Sequence, residues 1–223
     1  MNDTSAPLSQ NAATGLAQDD PYAITTSAQL REHYGEPSAL SRDKVVTALD
    51  AHCERFIEAA PYIVLATADV NGCTDASPRG DAAGFVRVAD PKTILIPDRR
   101  GNNRVDSLSN IVSNPRVGIL FMVPGVNETL RINGDAVITR DPQLCASMSV
   151  RDRAPEAIIR VHIHEAYLQC AKALVRSHLW DVERHFKRSD WPSLGKILAD
   201  QIGGIEATAA DRQIDESLRT RLY

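Results

Sequence analysis

The chain has 223 residues, 43% of them hydrophobic and only 5% aromatic, with a formal charge of −4. That length suits one sizeable core with terminal extensions better than two equal domains, and the acidic balance gives no general support for a nucleic-acid binder relying on phosphate contacts. No apolar run approaches the ~20 residues that span a bilayer, so neither nucleic acid nor membrane is an expected partner.

The first twenty residues, MNDTSAPLSQNAATGLAQDD, hold no Lys or Arg and no apolar stretch resembling a secretory signal. They carry too little apolar surface to offset ordering entropy, and residues 1–20 are expected to be a flexible tail. Cys53, Cys73, Cys145 and Cys170 are widely spaced and form no CxxC pair, which fits reduced thiols and a cytoplasmic location.

Residues 38–60 carry apolar side chains at helical spacing, which predicts one amphipathic helix with Ser41 as N-cap and Pro61 as its end. The period then changes. Tyr62–Thr67 is an expected strand, and Asn71-Gly72 is a hairpin turn. The following stretch, CTDASPRGDAAGFVRVAD, reads as one long strand or two short ones broken near Pro78-Arg79-Gly80. Ala89-Asp90-Pro91 turns the chain into a strand over Thr93–Ile96.

Residues 104–112 suit a short helix with Val105, Leu108 and Val112 on one face, stopped by Asn114-Pro115. RVGILFMV, residues 116–123, is a nearly continuous apolar strand, expected to be covered on both faces. ETLRINGDAVIT, residues 128–139, is another strand with a glycine interruption. Asp141-Pro142 opens a short helix, residues 157–165 return to strand, and Tyr167–His178 reads as helix. From Trp180 onward the sequence predicts mixed helix and coil. Five or six short strands with flanking helices suggest an antiparallel barrel with helical decoration, mainly β.

The most informative stretch is PDRRGNNRVDSL, residues 97–108, where a strand runs through an Arg/Asn/Gly loop into a helix. Two readings are open. One is a solvated charged turn, common on surfaces. The other is an anion site, in which a helix N-terminus, a closely approaching glycine, two asparagine amides and arginine forks meet a phosphate. Ser77-Pro78-Arg79-Gly80-Asp81 offers a further arginine at a strand break. Walker A and GxGxxG sequences are absent from the chain, which disfavours nucleoside triphosphates and Rossmann cofactors.

Four segments in order, ASPRGDAAGFV (76–86), ILIPDRRGNNRVDSLSNIVSNPRVGILF (94–121), ETLRINGDAVIT (128–139) and HEAYLQCAKALVRSHLW (164–180), resemble the pyridoxamine 5'-phosphate oxidase-like superfamily of FMN-binding split barrels. The resemblance implies a six-stranded antiparallel split β-barrel over residues 21–180, with residues 181–223 as a C-terminal helical extension packed on it. It implies FMN as cofactor. The phosphate would be cradled by the loop (Pro97, Asp98, Arg99, Asn102, Asn103, Arg104), with Ser77, Arg79 and Gly80 along the flavin. It also implies a homodimer with FMN at the interface, the strand bearing Thr129 and Arg131 arriving from the partner subunit. The activity implied is that of an FMN-dependent oxidoreductase acting on a small-molecule substrate or a nicotinamide electron donor, with no side-chain catalyst assigned. DESLRTRLY, the last residues, lacks the Trp/Arg/His-Asp-Arg segment of the true oxidases, so pyridoxamine phosphate is not supported as the substrate. A non-catalytic flavin- or haem-binding module is the alternative.

Two further groups have rival readings. His162 and His164 alternate on a strand and share a side, but no third ligand is evident and no metal is expected. Lys172, Arg176 and Trp180 fall at i, i+4 and i+8 on an expected helix. That face either closes the flavin pocket, making Lys172 a cofactor contact, or is an ordinary surface with a Trp anchor.

Overall fold

The computed structural model describes residues 20–223, so the expected tail lies almost wholly outside the described residues. The described residues divide into two units, one ending at Asp43 and the other Lys44–Tyr223. In the first, α1 (Ser27–Tyr34) starts from a capping box in which the Thr26 side chain and Gln29 satisfy each other's main-chain N–H groups, and α2 (Ala39–Asp43) follows. Neither helix buries a residue.

The second unit begins with a correction. The single helix expected over 38–60 is two helices, α2 and α3 (Ala51–Ala59), and Ser41 caps neither α3 nor a longer helix. Between them Val46 exchanges both main-chain hydrogen bonds with Ala166, at 3.0 and 2.8 Å, which removes it from any helical ladder. Asp50 then caps α3, its Oδ1 accepting from Cys53 N at 2.8 Å.

Seven strands follow: β1 (Tyr62–Ala68), β2 (Thr74–Gly80), β3 (Arg87–Asp90), β4 (Thr93–Asp98), β5 (Arg116–Met122), β6 (Thr129–Thr139) and β7 (Ala157–Gln169). They form one antiparallel sheet in the order β2-β1-β5-β6-β7-β4-β3. The class is the expected one, mainly β with flanking helices, with seven strands in place of six. The ambiguous stretch after the Asn71-Gly72 turn resolves into β2 and β3. Among the described strands no pairing joins β2 to β3, so the sheet stays open there.

Strand alternation explains the core. Ile63 and Leu65 of β1, Ile119 and Phe121 of β5, Leu130 and Ile132 of β6, and Ile159 and Val161 of β7 face one interior, each at most 1% exposed. Cys53 and Ile57 of α3 cover part of it. So does Ile111 of α4 (Asp106–Ser113). The inward face of α4 is Ser107, Leu108 and Ile111; of the expected face only Leu108 packs on the core, since Val105 and Val112 are 53% and 80% exposed. Val105 stands outside the helix as a left-handed cap, and that shifts the buried stripe by one position.

In β6 the expected glycine interruption is a bulge between Asn133 and Gly134. A Cβ at Gly134 would lie 2.1 Å from the His162 carbonyl oxygen, so the strands approach closely only because the side chain is missing. Residues 167–169, expected as helix, extend β7 by pairing with β6, and the helix that follows is the shorter α6 (Lys172–Ser177); before β7, α5 (Pro142–Ser147) covers a small second core of Leu95, Cys145, Met148 and Ile158. Two helices close the chain, α7 (Leu194–Ile202) and α8 (Ala207–Thr220), joined where Asp211 accepts from Gly195 N at 2.7 Å and Ser193 Oγ at 2.6 Å. No described helix is long and apolar enough to cross a membrane.

Candidate functional site

Where the sheet fails to close, the interior changes character. On β2 the alternation puts Asp75, Ser77 and Arg79 opposite Thr67, Leu65 and Ile63 of β1, which are 4%, 0% and 0% exposed. Three polar side chains thus point along the same face as the core, at its open edge. They line a cleft of about 710 Å³, bounded by β2, the end of β4, the loop 99–105, the start of α4 and the chain end at Leu222-Tyr223. That volume is in the ~300–1,000 Å³ range of small-molecule and cofactor sites.

Of the residues expected at the site, Ser77, Arg79, Gly80, Pro97, Asp98, Arg99, Asn102, Asn103 and Arg104 line this one cleft. Thr129, Arg131 and Lys172 do not. Thr129 is buried and its hydroxyl donates to Gln169 Oε1 at 3.2 Å. Arg131 lies in register with Leu120 and Tyr167 on the outer face of the sheet, its guanidinium 5.9 Å from the Tyr167 ring. Lys172 is exposed on α6.

The expected Lys172, Arg176, Trp180 face does not form as a unit either. The helix stops at Ser177, and Trp180 anchors separately by donating Nε1–H to the Val126 carbonyl at 2.8 Å. His162 and His164 do share a side, with ring centroids 6.0 Å apart, and His164 Nε2 lies 3.0 Å from Asp135. Among the described residues no group of three His, Cys, Asp or Glu could hold a metal ion.

The electrostatics of the cleft are balanced. Four arginines (79, 99, 100 and 104) face four aspartates (75, 81, 98 and 106). Arg79 Nη1 donates to Asp98 at 2.5 Å, tying β2 to β4 across the opening. Its Nε is buried and has no hydrogen-bond partner among the described residues. Arg99 Nε donates to Asp81 Oδ2 at 2.8 Å, and its Nη1 to the Met148 carbonyl at 2.8 Å. Tyr223 donates its hydroxyl to the other Asp81 oxygen.

Burial pushes the Asp81 carboxyl up, but the Tyr223 hydroxyl, the Ala82 N–H and Arg99 together outweigh it and hold it below the usual carboxylate range. The same bond raises the Tyr223 phenol. Asp106, bonded to Arg104 Nε at 2.8 Å, raises the Arg104 guanidinium further; both partners are largely exposed.

The loop itself is built to present main-chain donors. Asn103 and Val105 have φ of 58° and 53°, left-handed values that are uncommon for a non-glycine residue and strained for a β-branched one. Val105 caps α4 without any side-chain hydrogen bond, so no side chain caps the first N–H groups of α4. Asp75, Asp81, Leu222 and Tyr223 were not anticipated. Alternation along β2 could have indicated Asp75; nothing in the sequence points to Tyr223.

The pyridoxamine 5'-phosphate oxidase family model matches residues 49–170, more than half of the chain and every strand of the sheet. The chain belongs to the pyridoxamine 5'-phosphate oxidase family. The match ends before the last helices, so the Tyr223 contribution to the cleft lies outside the matched residues. Among solved structures, HupZ of Group A Streptococcus is similar at 18% identity over 54% of this chain and 93% of that one, with a TM-score of 0.45. General Stress Protein 26 of Bacillus anthracis str. Sterne is 17% identical over 51% of this chain and 88% of its own (TM-score 0.39). An FMN-binding protein of Syntrophomonas wolfei subsp. wolfei is 9% identical over 64% and 96%, respectively (TM-score 0.40). Comparison with curated proteins gave no match.

Proposed function

We propose that the protein is an FMN-dependent oxidoreductase, with the flavin in the cleft between β2 and the β4–α4 loop. The observation that carries this reading is one cleft of cofactor size in which Arg79, Arg104 and the Asn102 and Asn103 amides gather with the uncapped start of α4.

The residues present fit FMN. Main-chain N–H groups at the start of α4 and the Asn102 and Asn103 amides are the donors for its phosphate, on the positive end of the helix dipole. Arg104 joins them by leaving Asp106, which is cheap because an exposed ion pair contributes only ~0–1 kcal/mol. Asp98 holds Arg79 in place, so its positive charge is set before the cofactor arrives. When bound, FMN supplies one- or two-electron transfer, and the protein orients it and tunes its potential. Small-molecule substrates or a nicotinamide donor are the expected reactants.

The reading includes a homodimer. In one chain Arg131 is on the sheet face opposite Arg79, so it serves a site only if the partner subunit brings it there. Gly118, Leu120 and Met122 of β5 are only half-buried in the single chain, an apolar strip a second copy would cover.

Purified protein tests the cofactor directly. A flavin absorbance spectrum, FMN as the chromatographed chromophore, and reduction of the bound flavin by NADH or NADPH support the proposal. A Soret band, or protein that refuses FMN on reconstitution, refutes it.

A further inference from the structure

The two last helices hold to each other more than to the sheet. Ser193 Oγ and Gly195 N of α7 both donate to Asp211 of α8, and a Cβ at Gly195 would lie 2.5 Å from the Ala207 carbonyl oxygen. Gly195 is the one residue the pair buries. None of their residues belongs to either core cluster. Among the described residues, hydrogen bonds join this hairpin to the rest of its unit at two points. Trp180 holds the near end through the Val126 carbonyl. Tyr223 holds the far end: it donates to Asp81 at 2.7 Å, and its main-chain oxygen accepts from Arg153 Nη1 at 2.6 Å. The Arg151 guanidinium lies 5.1 Å from the centre of its ring.

The far tether stands in the cleft. Asp75 accepts from Ser107 Oγ at the start of α4, whereas Asp81, six residues further on, accepts from Tyr223. At ~3.3 Å per strand residue these ends of the cleft are roughly 20 Å apart. Beyond Tyr223 lies a second cavity of about 240 Å³, walled by Arg153, Pro155 and Glu156, and the Tyr223 ring divides the two spaces. Withdrawing that ring orphans no charge. Asp81 keeps the Arg99 Nε–H and the Ala82 N–H. A segment with few tethers and exposed helices opens locally more readily than a core strand does.

We propose that α7, α8 and the strap Arg221–Tyr223 form a hinged lid, with Trp180 at the hinge and Tyr223 as the latch. Release of the latch joins the two cavities and lets the cleft's ligand in and out. The lid stands on the geometry of its tethers; FMN as that ligand rests on the reading proposed above. A gate differs from a binding contact in its kinetics. Losing a contact raises koff alone and weakens affinity, whereas losing a gate raises entry and exit together and leaves Kd nearly unchanged.

Amide hydrogen exchange on the full chain without FMN reads the lid, and stopped-flow mixing with FMN reads the gate. Tyr223→Ala removes the latch, and Arg153→Gln loosens it while leaving the ring in place. Both should speed exchange across 194–220 about tenfold or more while β5, β6 and β7 keep wild-type protection. Both should also raise the FMN association and dissociation rates in parallel. Arg184→Ala, outside the latch, should change neither. Wild-type exchange across 194–220 in both variants overturns the lid. So does exchange that rises equally in the sheet, which would make Tyr223 part of the global fold. A rise in koff alone overturns the gate and makes Tyr223 a binding contact. Failure of the wild type to bind FMN refutes the cofactor reading, and faster exchange confined to 194–220 then still upholds the lid.

Discussion

Tyr223 donates its hydroxyl to Asp81 at 2.7 Å, joining residues 142 positions apart and fixing the end of the chain against the residue that follows β2. Asp81, whose side chain is only 2% exposed, is thereby held between a phenol and the Arg99 guanidinium. Tyr223→Phe keeps the ring beneath Arg151 and removes one bond to a charged acceptor, so stability should fall by ~0.5–1.5 kcal/mol in urea melts at pH 7. The pH dependence has two ends. Asp81 has a depressed folded pKa, so its contribution is present above the ordinary carboxylate value of about 4 and is lost as pH falls through the folded value. Tyr223 has a raised pKa, so its contribution is present below about 10 and is lost as pH rises through the folded value. Tyr223→Phe should move the acid midpoint upward and remove the Tyr223 share of the alkaline loss, leaving that of the raised Cys53 thiol. A variant with the wild-type profile at both ends would show that the bond is not formed in solution.

The loop prediction follows from its backbone. Arg104→Ala and Asn103→Gly should each weaken FMN binding by ~1–3 kcal/mol in fluorescence titrations. Glycine is the informative replacement at Asn103, because φ there is 58° and alanine would add backbone strain to the lost amide. Arg184→Ala should leave affinity unchanged, since Arg184 pairs with Asp181 and does not line the cleft. Equal affinity in all three would return the loop to a surface turn.

Thiol reactivity reports the packing of the core. Burial, assisted by Asp50, pushes the Cys53 thiol up to about 11, and Cys145 is also buried. Cys73 and Cys170 are exposed. A thiol-reactive chromophore at pH 8 should therefore label two cysteines quickly and four only after unfolding. Fast labelling of Cys53 would contradict the packing of α3.

Gly134→Ala should be among the most damaging single-methyl changes in the chain. Its Cβ would meet the His162 carbonyl at 2.1 Å, and a main-chain atom cannot move aside as a flexible side chain does. A loss of ~1–3 kcal/mol or more is expected in denaturant melts. A wild-type midpoint would mean that β6 and β7 can separate without cost.

Assembly is checked by analytical ultracentrifugation with and without FMN. If Arg131 of the partner subunit completes the site, FMN should tighten the dimer and raise Tm. A monomer that binds FMN tightly at every concentration would refute the shared site.

Much of this was legible in the sequence, because the strands announce themselves by apolar period and the turns by Asn71-Gly72 and Asn114-Pro115. The cleft was legible for a related reason: residues 97–104 are contiguous, and a local loop keeps its members together wherever it folds. What failed was non-local. The pinning of Val46 by Ala166 decides where α3 begins, and no local propensity encodes it. The length of β7 depends on its pairing with β6, and the inward face of α4 depends on the left-handed Val105. Asp81 and Tyr223 meet only because the whole chain lies between them.

The open sheet has one more consequence, for life in a crowded solution. An unclosed barrel has two free strand edges, and free edges invite edge-to-edge pairing between molecules and aggregation. Here β3 is only four residues long, too short to template much. On β2 the middle of the edge is Pro78, which pairs with Val64 on the inner side and has no N–H to offer an incoming strand. The proline beside Arg79 thus lets the sheet stay open at the cleft while denying that edge to another chain.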